Sequence, residues 1–227
     1  MRIAPSLGWT PARPPDHAPI AGETVRLEAI DPARHARQLF DASHGADSIW
    51  TYLAYGPFPD LATFTTWLEA RAASKDPLFY AIVDRSTNEA SGMASFMRIV
   101  PADGVIEIGH IWFAPKLQRT RQATEAIFLL ARTAFDDLGY RRLEWKCDSL
   151  NEPSRRAAAR FGFTYEGTFR QHTVVKGRNR DTAWFSIIDG EWPSRRSAFE
   201  QWLAPSNFDS NGKQVRSLAE IRSKVLG

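Results

Sequence analysis

The segment "HIWFAPKLQRTRQATEAIFLLARTAF", residues 110–135, constrains this chain more than any other. A β-rich run ends at a proline, and within a few residues a long amphipathic helix begins. Ala123, Ala126, Ile127, Leu130, Ala131, Ala134 and Leu138 recur at the spacing of one helical face, so the helix must bury that face against a core. It is expected to run from about Arg121 to Leu138 and to end at Gly139, a residue suited to the position just past a helix.

The joint itself, "LQRTRQAT", contains neither an acid nor an aromatic. The first turn of a helix offers backbone N–H groups with no intrahelical partner, at the positive end of the helix dipole, which together make an anion site. Thr120, Ala123 and Thr124 are small enough to let a phosphate approach the amides from Arg119 through Gln122 to Thr124. Gln118, Arg119 and Arg121 add side chains that bond phosphate oxygens. A plainer reading stands beside this one: every helix has an N-terminus, and Thr120 suits a simple cap.

The flanking pattern sets the joint in a sheet. "TVRLEAI" (24–30) alternates as a strand, Asp31-Pro32 opens a helix, and 60–74 reads as a second helix. Three strand-like runs, 78–84, 90–100 and 105–114, follow through short turn-rich connectors and predict an antiparallel meander. After the long helix come a strand at 142–148, a short helix opened by Pro153 and closed by Gly162, and a hairpin through "KGRN". The order β-α-α-β-β-β-α-β-α-β-β predicts one mixed α/β domain at 23–192. A proline-rich arm at 1–22 and a helical C-terminal extension at 193–227 flank it.

Composition narrows the function classes. No apolar run approaches the roughly 18–20 residues of a membrane span, and the N-terminal stretch lacks the apolar core of a secretory signal. With the single Cys147, which leaves no internal disulfide, this predicts a cytoplasmic protein with no membrane partner. The net charge of +3 is spread through helices and turns rather than along an aromatic-lined stripe, so nucleic acid is not expected. The five histidines and one cysteine lack metal-ligand spacing, and no metal is expected.

Three stretches carry a resemblance: "EIGHIWFAPKLQRTRQATEA", "LEWKCDSLNEPSRRAAARFGF" and "GTFRQHTVVKGRNRDTAWFSII". They resemble the GNAT superfamily of acetyl-CoA-dependent N-acetyltransferases, in particular the branch acting on the N-terminal amines of ribosomal proteins. The resemblance covers about residues 23–190. It implies a GNAT-like fold, a mostly antiparallel mixed sheet of six to seven strands with one splayed pair and flanking helices. It also implies acetyl-CoA as co-substrate. Gln118 and Ala123 match the first and last positions of the family's pyrophosphate loop, Gln/Arg-x-x-Gly-x-Gly/Ala, but Arg121 occupies the middle glycine. The guanidinium of Arg121 would then turn toward the phosphates.

By the same resemblance, the backbone of Ile111, Trp112 and Phe113 pairs with pantetheine. Asn151 of "NEPS" lies near the pantetheine or acetyl group, and Ser154 near the thioester sulfur. Asn151 is also a good helix cap. Some relatives place an acidic Tyr seven residues after that Asn; here the position is Ala158.

An amine nucleophile must lose a proton before it attacks, which calls for a base. "VIEIGHIW" offers Glu107 and His110. Strict alternation sets them on opposite faces, and a bulge at Gly109 would bring both toward the cleft. Relatives often carry a Glu at the position of Glu107, which ranks it first; a buried Glu paired to an Arg is its structural alternative. Asp148 could meet the substrate amine, His172 could line the acceptor pocket, and Trp50, Tyr52 and Phe58 could wall it. Cys147 has no nearby His in sequence to make it a nucleophile. The reading is direct acetyl transfer to a primary amine, of a small molecule or a protein N-terminus, by a monomer or homodimer. A CoA-binding sensor or interaction module is the alternative.

Overall fold

The computed structural model describes residue 6 and residues 8–225; the remainder of the expected arm and the last two residues of the expected extension lie outside the described part. Eight strands form one sheet in the order β1-β2-β3-β4-β5-β6-β8-β7. They are β1 Ile20–Ala21, β2 Val25–Ala29, β3 Leu78–Asp84, β4 Ala90–Val100, β5 Val105–Phe113, β6 Arg142–Asp148, β7 Thr164–Val175 and β8 Arg178–Ile188. The strand beyond the expected six to seven is β1. It comes from the proline-rich stretch, whose two paired residues are too few to show a period.

All neighbours are antiparallel except β5 and β6, which pair in parallel only from Val105–Glu107 against Arg142–Glu144. Beyond Glu107 the two strands part. This is the splayed pair.

Alternation along β3 and β4 supplies both faces of the sheet. Phe79, Ala81, Val83, Ala90 and Met93 pack under α1 (Pro32–Ser43) and α2 (Leu61–Ala72). Tyr80, Ile82, Ala94 and Phe96 pack under α3 (Arg121–Arg132) on the other side. Asp31 and Asp60 open α1 and α2 by accepting the N–H groups of Ala33 and Thr63. Past Arg132 the long helix continues as a wider turn through Asp137 and ends at Gly139, whose φ of +77° a glycine adopts without strain.

Residues 193–225 pack on the same domain. Trp192, at the start of α5 (Trp192–Leu203), stacks on Phe135 at 5.0 Å, and Phe199 meets Phe128 at 5.4 Å and Phe161 at 6.1 Å. Each such buried aromatic contributes about 2–3 kcal/mol of apolar burial. A last helix, α6 (Leu218–Val225), buries Leu218 and Ile221, and its Arg222 donates to the carbonyl of Arg160. The described part of the arm lies over the β4–β5 turn and the end of the long helix, where Arg13 N donates to the Leu138 carbonyl. Trp9 Nε1 donates to the Ala102 carbonyl, Ala12 N to Pro101, and Tyr80 hydroxyl to Asp16.

Candidate active site

The strand-to-helix joint opens a cavity of about 1280 Å³. Its walls come from the end of β5, the α3 N-terminus, α4 (Glu152–Phe161) and, unexpectedly, the extension, through Trp202, Pro205, Phe208 and Lys213. Thr120 caps α3: its hydroxyl accepts Ala123 N at 3.1 Å and donates to the Leu117 carbonyl at 2.7 Å. Thr124 N turns to Thr120 O at 3.4 Å. The amides of Arg119, Arg121 and Gln122 have no acceptor among the described residues, so three of the six amides from Arg119 to Thr124 face the cavity free. The left-handed residue of the loop is Arg119, at φ +62°, and Arg121 is already helical.

The guanidinium of Arg121 does not point at this cradle. It donates to the Leu203 carbonyl, with Nε at 3.0 Å, pairs with Glu23 at 2.9 Å and stacks over Phe208 at 5.3 Å. Gln118 likewise spends its amide on the Phe113 carbonyl at 2.9 Å. Two of the three expected phosphate-binding side chains thus fasten neighbouring chain, and the third, Arg119, lines the cavity. Cations still dominate the cavity lining: Arg119, Arg121, Arg156, Arg160 and Lys213 against the single carboxylate Asp209. Arg160 has no carboxylate partner among the described residues. It donates to Thr124 Oγ1 at 3.1 Å, lies over Trp202 at 4.9 Å, and burial lowers its pKa. A sequestered guanidinium without a counter-ion suits a polyanionic ligand.

A second cavity of about 210 Å³ adjoins the first, and Ile49, Ile111, Trp145, Asn151 and Ser154 line both. Asn151 caps α4 by accepting Ser154 N at 3.1 Å, and Ser154 Oγ accepts Trp145 Nε1–H at 3.0 Å, leaving the hydroxyl proton to donate. Burial pushes the Cys147 thiol up, with the Ser154 hydroxyl beside it acting in the opposite direction. Glu107 and His110 both line this cavity. The slip that unites them is at His110 and Ile111, which together face Ala94, rather than at Gly109. His110 takes the positive φ of +51°, while a Cβ at Gly109 would collide with the Met97 sulfur.

Burial raises the Glu107 pKa although Lys146, at 2.9 Å, and Arg98, at 3.1 Å, both pair with its Oε2. Burial lowers His110 to about 4, with Arg71 and Arg180 adding, and its Nδ1 meets the Tyr55 hydroxyl at 3.2 Å. His110 is therefore a neutral imidazole near pH 7. Of the three expected aromatic walls only Tyr52 lines the cavity, its hydroxyl donating to the Leu150 carbonyl at 3.0 Å. Trp50 and Phe58 belong to the core cluster beneath α1 and α2.

Residues 24–164 match the family described as "Acetyltransferase (GNAT) domain". The chain belongs to this family. A GCN5-related N-acetyltransferase from Brucella melitensis is 50% identical, with 95% of this chain and 99% of that one superposed at a TM-score of 0.93. The Bacillus subtilis protein named ribosomal N-acetyltransferase YdaF is 30% identical over 105 residues, 46% of this chain and 57% of its own. N-acetyltransferase p20 of Bacillus licheniformis is 30% identical over 117 residues, 50% of this chain and 63% of its own. This chain thus spans less than two thirds of the length of either curated relative. The name of the first accords with the ribosomal-protein branch that the motifs resemble.

In this GNAT chain the sequence motifs therefore converge on two touching cavities. Sequence reasoning left Asp148 and His172 as weak candidates, and both line the smaller cavity; Arg180, Lys146 and Arg98 in the same wall were missed. Charged residues alternating along β6 and β8 were the available signal, but an exposed strand face shows the same pattern. The contribution of Trp202 to Lys213 had no signal at all, since nothing local places a C-terminal loop against a distant helix. Among the described residues no group of three His, Cys, Asp or Glu side chains could hold a metal, and no helix is long and apolar enough to cross a membrane.

Proposed function

We propose that this chain transfers the acetyl group of acetyl-CoA to a primary amine, small or at a protein N-terminus, by direct attack in a ternary complex. One observation carries the reading. The cation-lined cavity over the α3 N-terminus meets the smaller cavity at Ile111, Asn151 and Ser154, the junction where a thioester would face an amine. The free amides of Arg119, Arg121 and Gln122, with Arg160 and Lys213, suit a pyrophosphate and a further phosphate. Trp112 is buried in the core, so the β5 contribution to pantetheine is the backbone of Ile111 to Phe113 on the side released by β6. The Phe113 carbonyl is already held by Gln118.

Ser154 donates to the departing sulfur, and Asn151 holds it in place through the α4 cap. Glu107 receives the proton of the incoming ammonium, directly or through water; burial favours that uptake and its two cationic partners oppose it. His110, neutral, accepts hydrogen bonds. Holding amine and thioester together supplies most of the acceleration. The raised thiol of Cys147 supports transfer without an acetyl-enzyme. A lone buried cysteine suits a reducing, cytoplasmic setting.

The test is calorimetric titration with acetyl-CoA, followed by thiol release across a panel of amines. Tight binding with turnover of at least one amine is expected. Binding without turnover of any would make the chain a CoA-binding module. Absence of binding would refute both.

A further inference from the structure

We propose that the acceptor is a free amino acid, a primary amine carrying its own carboxylate, with Arg180 holding the carboxylate and Asp148 the amine. This rests on the acetyl-transfer reading and names the acceptor class for the smaller cavity.

The argument begins with unmatched charge. Arg180 lines that cavity from β8, and its guanidinium makes no hydrogen bond or ion pair with any described residue. Its Nε is buried without a partner. A buried donor left unpaired in a native fold calls for an explanation, and a bound anion is one. The other cations of the cavity are matched: Lys146 pairs with Glu107 at 2.9 Å and with Glu144 at 2.6 Å, and Arg98 pairs with Glu107 at 3.1 Å. Asp148 spends Oδ1 on the Leu150 N–H at 2.9 Å, and no cation among the described residues pairs with its carboxylate. One guanidinium and one carboxylate oxygen therefore remain for a ligand.

Their placement fits a short zwitterion. Asp148 is directly opposite Thr182 across the β6–β8 ladder, and Arg180 is two residues from Thr182, on the same face. Diagonal neighbours of this kind lie about 7–8 Å apart at their backbones, and the two groups do not pair with each other. A molecule with an amine and a carboxylate a few bonds apart can bridge them.

Size and field agree. The cavity of about 210 Å³ equals roughly seven water volumes. With Arg98 and Lys146 matched by Glu107 and Glu144, Arg180 and Asp148 are, among the described residues, the unpaired charges of the lining, one for each end of a zwitterion. Ile49, Leu53 and Met97 offer apolar wall to a side chain.

The step balances simply. The ammonium gives one proton to the base, its nitrogen forms the bond to the acetyl carbon, and the carbon–sulfur bond breaks. The second amine proton leaves as the thiolate takes one, so the products are an N-acetyl amino acid, CoA thiol and one released proton.

The experiment compares free amino acids, the corresponding amino-acid amides, a short peptide with a free N-terminus and spermidine, by thiol release with the full-length protein. Acids are expected to exceed their amides in kcat/KM by about tenfold or more, the worth of a charge-assisted contact. Arg180→Ala and Arg180→Gln should raise KM for the acid by a similar factor, bring the acid-to-amide ratio near one, and leave the Kd for acetyl-CoA unchanged. Calorimetry of amino-acid binding in the presence of CoA gives the same comparison without turnover. The proposal is overturned if amides, the peptide or spermidine match or exceed the acids. It is equally overturned if both Arg180 variants behave as wild type, or if a protein that binds acetyl-CoA acetylates no amino acid. Failure to bind acetyl-CoA would instead remove the transferase reading itself.

Discussion

Replacing Arg121 by glycine would restore the residue found in the family's phosphate loop, and the structure predicts that the change costs stability rather than cofactor affinity. Three contacts are lost. The hydrogen bonding to the Leu203 carbonyl comes from a charged donor, for which about 1.5–3 kcal/mol is typical. The stacking over Phe208 adds about 0.5–1 kcal/mol at a partly exposed site. The pair with Glu23, whose side chain is 72% exposed, adds little. Together they make about 3 kcal/mol, which for a domain of this size lowers Tm by roughly 6–12 °C.

The free amides of the cradle are untouched, so KM for acetyl-CoA should stay within about threefold, less than 1.4 kcal/mol. Thermal unfolding and steady-state kinetics read both quantities, and limited proteolysis should cut faster within 204–217. An unchanged Tm with KM raised tenfold or more would show that the guanidinium serves the phosphates and that the clamp assigned to it is wrong.

Three further outcomes follow from the site. Ser154→Ala should lower kcat roughly a hundredfold, the lower range for one lost donor at a developing charge, with KM for acetyl-CoA unchanged; kcat within twofold of wild type would remove Ser154 from the chemistry. Cys147→Ala should retain turnover, and intact-mass analysis of the wild-type protein with acetyl-CoA should show no acetylated enzyme; a trapped adduct abolished by the variant would reverse the assignment. His110 is held near 4 against 6.5 in an unfolded chain, so its contribution is complete above pH 6.5 and declines as pH falls toward 4. The loss amounts to about 3 kcal/mol. Urea unfolding from pH 7 to 4 should show this loss in the wild type and a flatter profile in His110→Gln; parallel profiles would refute the burial argument.

Local signals carried most of the fold into the sequence. The stripe from Ala123 to Ala134, the caps at Asp31 and Asp60 and the terminating glycines act over a few residues, so the strands and α-helices between 24 and 203 were readable to within about two residues, whereas β1 was not foreseen and the last helix begins only at Leu218. The joint was readable as a helix N-terminus with unpaired amides for the same reason. The direction of the Arg121 and Gln118 side chains was not, because both are decided by partners supplied from elsewhere, Leu203 and Phe208 in one case and the Phe113 carbonyl in the other. Glu107 and His110 were both singled out as candidates, but their sharing one cavity depended on a slip of register whose position, at His110, no turn residue marks. Arg180 escaped because its interest lies in having no partner, a property that only the packed molecule defines.

The outer wall of the larger cavity has a further consequence for how such chains diversify. Trp202, Pro205, Phe208 and Lys213 lie some forty residues past the last position of the family match at residue 164. A chimera exchanging only the matched segment would carry the amide cradle but leave this wall behind. Selectivity for the exposed end of a ligand in this cavity could therefore drift in the tail while the lining around Ser154 stays constant, and the two traits could be inherited, or engineered, as separate parts.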